Sequence, residues 1–286
     1  MELILEILKS LLYGLIQGIT EWLPISSTGH LILLHSVLPL NVYEDASFNI
    51  AFWNMYKIVI QVGSILAVIV LFSQRLWPFS PKKTETRKKA ILRTWKMIFI
   101  GSIPLGILGV LLNDIVDSKL STSLAVGITL IVYGLVILLI ERYPRRPTIK
   151  EIRSITPGAS LMTGCFQALS LIPGTSRSGA AIIGGMLAGM DRPVAAEFSF
   201  YLAVPAMLGA ALFKLVRLDV QLNLSGLLVL LAGIASAFIV SLFVVRSLLT
   251  YVRTNDMRLF GYYRVVLGLI ILILYMIGAL PEGVVV

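Results

Sequence analysis

Charge is what this sequence has least of. Only 14% of its 286 residues are Asp, Glu, Lys or Arg, against roughly 25% in a soluble globular chain, and a water-soluble fold of that composition would have no polar surface to present. Cysteine is almost missing. The single Cys165 excludes an internal disulfide and any multi-cysteine zinc site, and it reads as a small packing residue. The N-terminus is apolar from Leu3 but lacks a basic n-region and a small-residue cleavage site. No removable signal peptide is therefore expected, and the mature chain is expected to begin at Met1.

Long apolar runs are what is there instead. They cover Ile58 to Phe72, Met97 to Leu112, Leu120 to Ile140, Ala195 to Leu215, Leu224 to Val245 and Tyr262 to Leu280. As helices most are long enough to cross a hydrocarbon layer of ~30 Å, and tilt with polar flanks accommodates the two shorter ones. Six full crossings are expected. The net charge of +9 could suggest nucleic acid, but the basic residues sit beside apolar spans, where membrane lipids with anionic headgroups are the nearer partner and no nucleic acid is expected. Every second loop is basic: Arg75 to Lys96 (with Lys82 to Lys89 at its centre), then Arg142, Arg145, Arg146, Lys150 and Arg153, then Arg246, Arg253, Arg258 and Arg264. Those loops are expected inside. The loops around Glu44 and Asp45, Asp114 and Asp117, and Lys214 to Asp219 are expected outside, with the C-terminus.

A shift of 150 positions superimposes Gly14, Gln17, Ser26 and Gly29 on Gly164, Gln167, Ser176 and Gly179, with Thr20 and Thr28 on Ser170 and Ser178. A second echo pairs the run from Val132 to Ile140 with that from Val266 to Leu274. The chain reads as a duplication, about 1–141 and about 154–286, within one integral membrane domain. Each copy holds a polar-interrupted hairpin followed by three crossings, and an odd number turns the second copy upside down, an inverted-topology repeat. The hairpins, Leu3 to Leu38 and Pro157 to Met190, break at Pro24-Ile-Ser-Ser-Thr-Gly29 and Pro173-Gly-Thr-Ser-Arg-Ser-Gly179. A proline followed by serines ends one helix and caps the next. Arms of about 15 residues reach only part way across, so both hairpins are expected to be re-entrant.

Each break offers a helix N-terminus, whose bare N–H groups and positive dipole end attract an anion. Arg177 strengthens that reading, since a guanidinium clamps phosphate bidentately and stays charged in a dry site; an ion pair with Glu21 or Glu197 is the structural alternative. Gln17 and Glu21 share a helix face and could ligate Mg²⁺ or Ca²⁺ through oxygen, or could simply satisfy one another. His30 lies one turn past Ser26 and Ser27 and is a candidate base. Ser27 and Ser176 are candidate nucleophiles or phosphate donors, while Ser26, Thr28, Thr175 and Ser178 bind phosphate or only cap helices.

With Gln17-Gly-Ile-Thr-Glu21, Ser26-Ser-Thr-Gly-His30 and Pro173-Gly-Thr-Ser-Arg-Ser178 in order, the whole chain resembles the bacterial undecaprenyl-diphosphate phosphatase family, also called the bacitracin-resistance protein family. The resemblance implies an all-α polytopic protein of the bacterial plasma (inner) membrane that hydrolyses undecaprenyl diphosphate to undecaprenyl phosphate and orthophosphate, recycling the carrier for peptidoglycan. It implies a divalent cation and an active site facing outside. Carried over by position, Glu21, Ser27, His30 and Arg177 match the family's functional residues, and Gln17 takes its variable Glu/Gln place. A homodimer is compatible with it. Ala181 departs from the family motif, which usually ends there in threonine, so no essential hydroxyl is expected at that position.

Two mechanisms stay open at this point: attack by Ser27 deprotonated by His30, or attack by water activated by His30. Two other functions compete. Acid-phosphatase-like lipid phosphatases carry a similar Ser-Gly-His element but need a second, downstream histidine, and this chain has only His30 and His35. A polyprenyl-phosphate transporter or flippase would also use inverted repeats with broken helices, but would need no nucleophile.

Overall fold

The computed structural model describes residues 2–81, 83–144, 146–217 and 222–280, and these are overwhelmingly helical. Ten α-helices follow in order: α1 (Glu2–Thr20), α2 (Ser27–Val37), α3 (Ala46–Leu76), α4 (Glu85–Lys119), α5 (Ser123–Arg142), α6 (Pro157–Ala168), α7 (Arg177–Leu187), α8 (Arg192–Arg217), α9 (Leu224–Thr254) and α10 (Arg258–Met276). Seven of them, α1, α3, α4, α5, α8, α9 and α10, are long and apolar enough to cross a membrane. Their outward faces carry large exposed apolar side chains such as Ile4, Leu8, Phe99, Ile103, Leu139, Phe243 and Ile273. An exterior of that kind is stable against acyl chains and not against water.

The expected count was six crossings, with the first hairpin beginning on a short arm. Its first arm is longer than expected: α1 runs unbroken for 19 residues, about 28 Å, because nothing between Glu2 and Thr20 interrupts the helix. The other three arms are short. α2 and α7 have 11 residues and α6 has 12, about 16–18 Å each.

The expected loops also shrink. Arg87, Lys88, Lys89, Arg93 and Lys96 form the first turns of α4, Arg246 and Arg253 end α9, and Arg264 lies inside α10. Helices run past the apolar section because charged residues are good helix formers once they reach water. Lys214 belongs to α8, whereas 218–219, Lys82, Arg145 and the side chains of Asp114 and Asp117 lie outside the described residues.

Contacts recur with the two halves exchanged. A Cβ placed on Gly14 of α1 would lie 2.4 Å from the carbonyl oxygen of Gly233 on α9, and one on Gly164 of α6 would lie 2.0 Å from that of Gly101 on α4. Gly127 and Gly134 of α5 meet Gly268 and Gly261 of α10 respectively, so these equivalent helices run antiparallel. Small residues let backbones approach this closely. Of the seven long helices α3 and α8 are the most buried, and the main core gathers Trp22, Ile65, Val68, Phe198, Phe200 and Tyr201 around them.

Gly134→Val should destabilise the protein by about 1–3 kcal/mol, because its Cβ would sit 2.8 Å from the Gly261 carbonyl oxygen. Gly158→Ala, which meets nothing within 4 Å, should leave the melting temperature in detergent unchanged or slightly raised. Thermal unfolding of the two purified variants checks both.

Candidate active site

Both breaks fold by the same local logic. Thr20 closes α1 by donating its hydroxyl to the Ile16 carbonyl (2.7 Å), and Pro24 prevents the helix from resuming at once. Ser26 then turns to φ 73° and accepts from the Gly29 N–H at 3.5 Å. In the second break a 3₁₀ turn at Leu169–Leu171 follows α6, Gly174 takes φ +90°, and Ser176 turns to φ 68° and accepts from the Gly179 N–H at 3.2 Å. Ser26 and Ser176 are the only non-glycine residues with positive φ among those described. Such backbone costs of order 1–3 kcal/mol and persists only where surroundings over-determine it.

The surroundings are the other break. The Ser178 hydroxyl donates to the carbonyls of Glu21 (3.0 Å) and Leu23 (3.3 Å). Arg264, fully buried, donates Nη1 to the Pro24 carbonyl (3.3 Å) and Nη2 to those of Gly174 and Thr175 (both 2.9 Å), with its guanidinium over the Tyr133 ring. The N-termini of α2 and α7 are thereby held at one place.

Glu21 is the hub of that place. Its Oε2 accepts from Gln17 Nε2 (2.9 Å) and from the Ser27 hydroxyl (2.8 Å), and its Oε1 faces Arg177 Nη2 at 3.4 Å. Arg177 also donates Nη1 to the Ser199 carbonyl (3.2 Å) and lies over the Trp22 ring, 5.5 Å from its centroid. Both charged groups are nearly buried, so the ion pair stands in a medium where each charge needs its partners. Gln17 Oε1, Trp22 Nε1 and Arg177 Nε are buried and have no partner among the described residues. Three bare polar atoms around one ion pair mark a place for a further polar group.

The other expected residues take lesser positions. Ser176 and Ser178 hydroxyls stand 3.3 Å apart, Thr175 is buried, and Thr28 is half-buried in the first turn of α2. His30 does not reach Ser27. Its Nδ1 donates to the Ser26 carbonyl at 2.7 Å, which leaves Nε2 to accept from the Tyr263 hydroxyl at 2.6 Å in the neutral ring. Four residues past Ser26 on the same helix, the ring points back over the cap.

A divalent cation fits Gln17 and Glu21 in a limited way. The bare Gln17 Oε1 and the adjacent carboxylate offer hard oxygen donors, but no group of three or more His, Cys, Asp or Glu gathers among the described residues. Substrate oxygens would have to complete the shell, as they commonly do for Mg²⁺.

Sequence reasoning missed Arg264 by grouping it with basic loop residues, and Tyr263 by reading it only as part of an apolar run. The signal was present, since an arginine inside the run from Tyr262 to Leu280 is a membrane-embedded charge. Arg264→Leu should bare three buried carbonyls, at about 1–3 kcal/mol each. It should lower both the melting temperature and the activity, whereas Arg264→Lys, with one compact donor head, should recover only part of either. Thermal unfolding and turnover measured on the same preparations check this.

A family profile described as "Bacitracin resistance protein BacA" matches residues 10–270. Among curated relatives, "Undecaprenyl-diphosphatase 1" of Clostridioides difficile (strain 630) is 44% identical over 269 residues, covering 94% of this chain and 96% of its own. "Undecaprenyl-diphosphatase" of Enterococcus faecalis is 44% identical over 274 residues, covering 94% and 97%. The protein of that name in Acetivibrio thermocellus is 41% identical over 274 residues, covering 95% and 98%. Likeness of this depth along nearly the full length, across both breaks and the helices that hold them, means that the chain belongs to the bacitracin resistance protein family.

Proposed function

We propose that this protein hydrolyses undecaprenyl diphosphate to undecaprenyl phosphate and orthophosphate, returning the lipid carrier to peptidoglycan synthesis. The carrying observation is the buried cluster in which Ser27 and Glu21 of one break meet Arg177 of the other. The names of the relatives supply the substrate.

Arg177 and the α2 and α7 N-termini hold the diphosphate, and the bare Arg177 Nε is the donor kept for it. The Ser27 oxygen attacks the terminal phosphorus, its proton passing to Glu21, the side chain that its hydroxyl contacts among the described residues. The bond from that phosphorus to the bridging oxygen breaks, and undecaprenyl phosphate leaves. Water then attacks the phosphoserine, the bond from phosphorus to the Ser27 oxygen breaks as Glu21 returns the proton to that oxygen, and orthophosphate leaves with both protons of the water. His30 holds the Ser26 carbonyl, and so the strained cap, in place. A divalent cation bound by Gln17 and Glu21 would neutralise charge on the diphosphate. Most phosphoryl-transfer catalysis consists of such positioning and electrostatic stabilisation.

The arrangement that accompanies this reading is six crossings with two re-entrant hairpins, inverted relative to one another, in the plasma membrane and with the site open to the outside. Its support is the antiparallel α5 and α10, the exchanged glycine contacts and the short α2, α6 and α7. α1 then serves as a long, tilted first arm. The basic first turns of α4 support an inside position for that end.

Phosphate release from undecaprenyl diphosphate by the purified protein tests the reading; binding without release would leave a transporter. Ser27→Ala and Glu21→Gln should each cost about a thousandfold or more in kcat, the double variant hardly more than the worse single. His30→Ala should cost about tenfold, one hydrogen bond's worth. A Ser27→Ala enzyme keeping a tenth of wild-type kcat would make water the nucleophile. Arg177→Ala should abolish turnover with the fold intact, and excess chelator should too. Orientation is read by an impermeant thiol reagent on intact cells: in a Cys165→Ser background, Glu44→Cys should label and Lys88→Cys should not.

A further inference from the structure

The exchanged contacts of the two halves fail at one interface. α3 closes on α9 so tightly that a Cβ on Gly63 would lie 2.2 Å from the Ile234 carbonyl oxygen. The counterpart pair, α8 and α4, stands apart around a cavity of about 370 Å³ lined by Gly106, Gly109, Leu171, Pro205, Ala206 and Gly209, among others. Pro104 and Pro205 lie within these two helices at this level, where a proline removes one bond of the helical ladder. Small residues in membrane helices ordinarily let backbones touch, yet a Cβ on Gly106 or Gly209 would meet nothing within 4 Å. Here they keep space open.

Two features tie that space to the active site. Its inner wall includes Leu171, in the 3₁₀ turn that leads directly into Pro173 and Arg177; the Leu171 Cδ2 would stand 3.8 Å from a Cβ on Gly109. Gln167 lies in α6 between Gly164, which packs on Gly101 of α4, and the turn that carries Leu171. It is fully buried and neither atom of its amide has a partner among the described residues. The apolar slot is thus walled by the turn that leads into the phosphate site, and an unsatisfied amide stands on the helix just before that turn. The cavity's one polar side chain, Ser102, is satisfied by the Ile98 carbonyl (2.8 Å).

Resting on the phosphatase reading, we propose that the groove between α4 and α8 holds the isoprenoid chain of the substrate next to its diphosphate, with Gln167 at the junction of chain and headgroup. The stretch from Ser102 to Val110 spans about 12 Å of helix, room for the first few isoprene units. The remainder of an undecaprenyl chain continues into the bilayer.

The test compares farnesyl diphosphate, long enough to lie in the groove, with dimethylallyl diphosphate, whose single isoprene unit is not. Gly106→Leu combined with Gly209→Leu fills the groove without striking neighbouring atoms at Cβ. It should raise KM for farnesyl diphosphate about tenfold, the apolar contact of a few methylenes, and move that for dimethylallyl diphosphate by less than about twofold. Equal loss on both substrates, or no change on either, overturns the proposal. A measurement independent of turnover uses Ala206→Cys in a Cys165→Ser background. Farnesyl diphosphate should slow its alkylation by N-ethylmaleimide in detergent and dimethylallyl diphosphate should not. Slowing by added phospholipid with none by farnesyl diphosphate would make the groove a bulk-lipid contact and overturn the assignment. If the wild-type protein releases no phosphate from undecaprenyl diphosphate, the phosphatase reading fails, while the alkylation pattern still decides what the groove takes.

Discussion

A backbone carbonyl inside a membrane protein has no water to turn to, and this fold contains two places where the helical ladder stops in the interior. Everything near the site follows from how those stops are satisfied. Arg264 spends its guanidinium on three carbonyls, one from the first break and two from the second. Ser178 adds two bonds in the same direction, from the second break to the first. Each break takes donors from outside itself, and Arg264 serves both at once. Two backbone defects are thereby converted into one rigid junction.

That junction is what makes a buried ion pair affordable and useful. Glu21 receives two neutral hydrogen bonds as well as the Arg177 contact, and Arg177 is further supported by the Ser199 carbonyl and the Trp22 face. The charges are thus partly satisfied but not saturated, with the bare Nε of Arg177 and Oε1 of Gln17 remaining. A site of this kind has little reorganisation left to do when a phosphate arrives, and preorganisation is the usual source of electrostatic catalysis.

Much of this could be read from residue order. The apolar runs locate the long helices, the proline and serine clusters locate both breaks, and the 150-residue echo pairs Ser26 with Ser176, which adopt the same left-handed cap. What escaped was set by direction in space. Helix spacing put His30 near Ser27 in count, but the ring folds back on the Ser26 carbonyl, and the serine finds Glu21 across the turn instead. Arg264 was grouped with other arginines by charge alone, and its burial depends on a partner break 90 residues away. The length of α1 was hidden because a polar break was assumed to shorten both arms of its hairpin.

The near-symmetry of the halves bears on how such a site can come about. Ser27 and Arg177 occupy equivalent positions of the two copies, as do Glu21 and Leu171. Were the halves separate and identical chains meeting across a twofold axis, each would have to bring the same residue to the junction: two arginines would repel, and two serines would leave the carboxylates without a countercharge. Covalent linkage removes that restriction. Once both copies lie on one chain, one can contribute the hydroxyl and the carboxylate, the other the cation, and the centre becomes heterodimeric in character although a single gene product builds it.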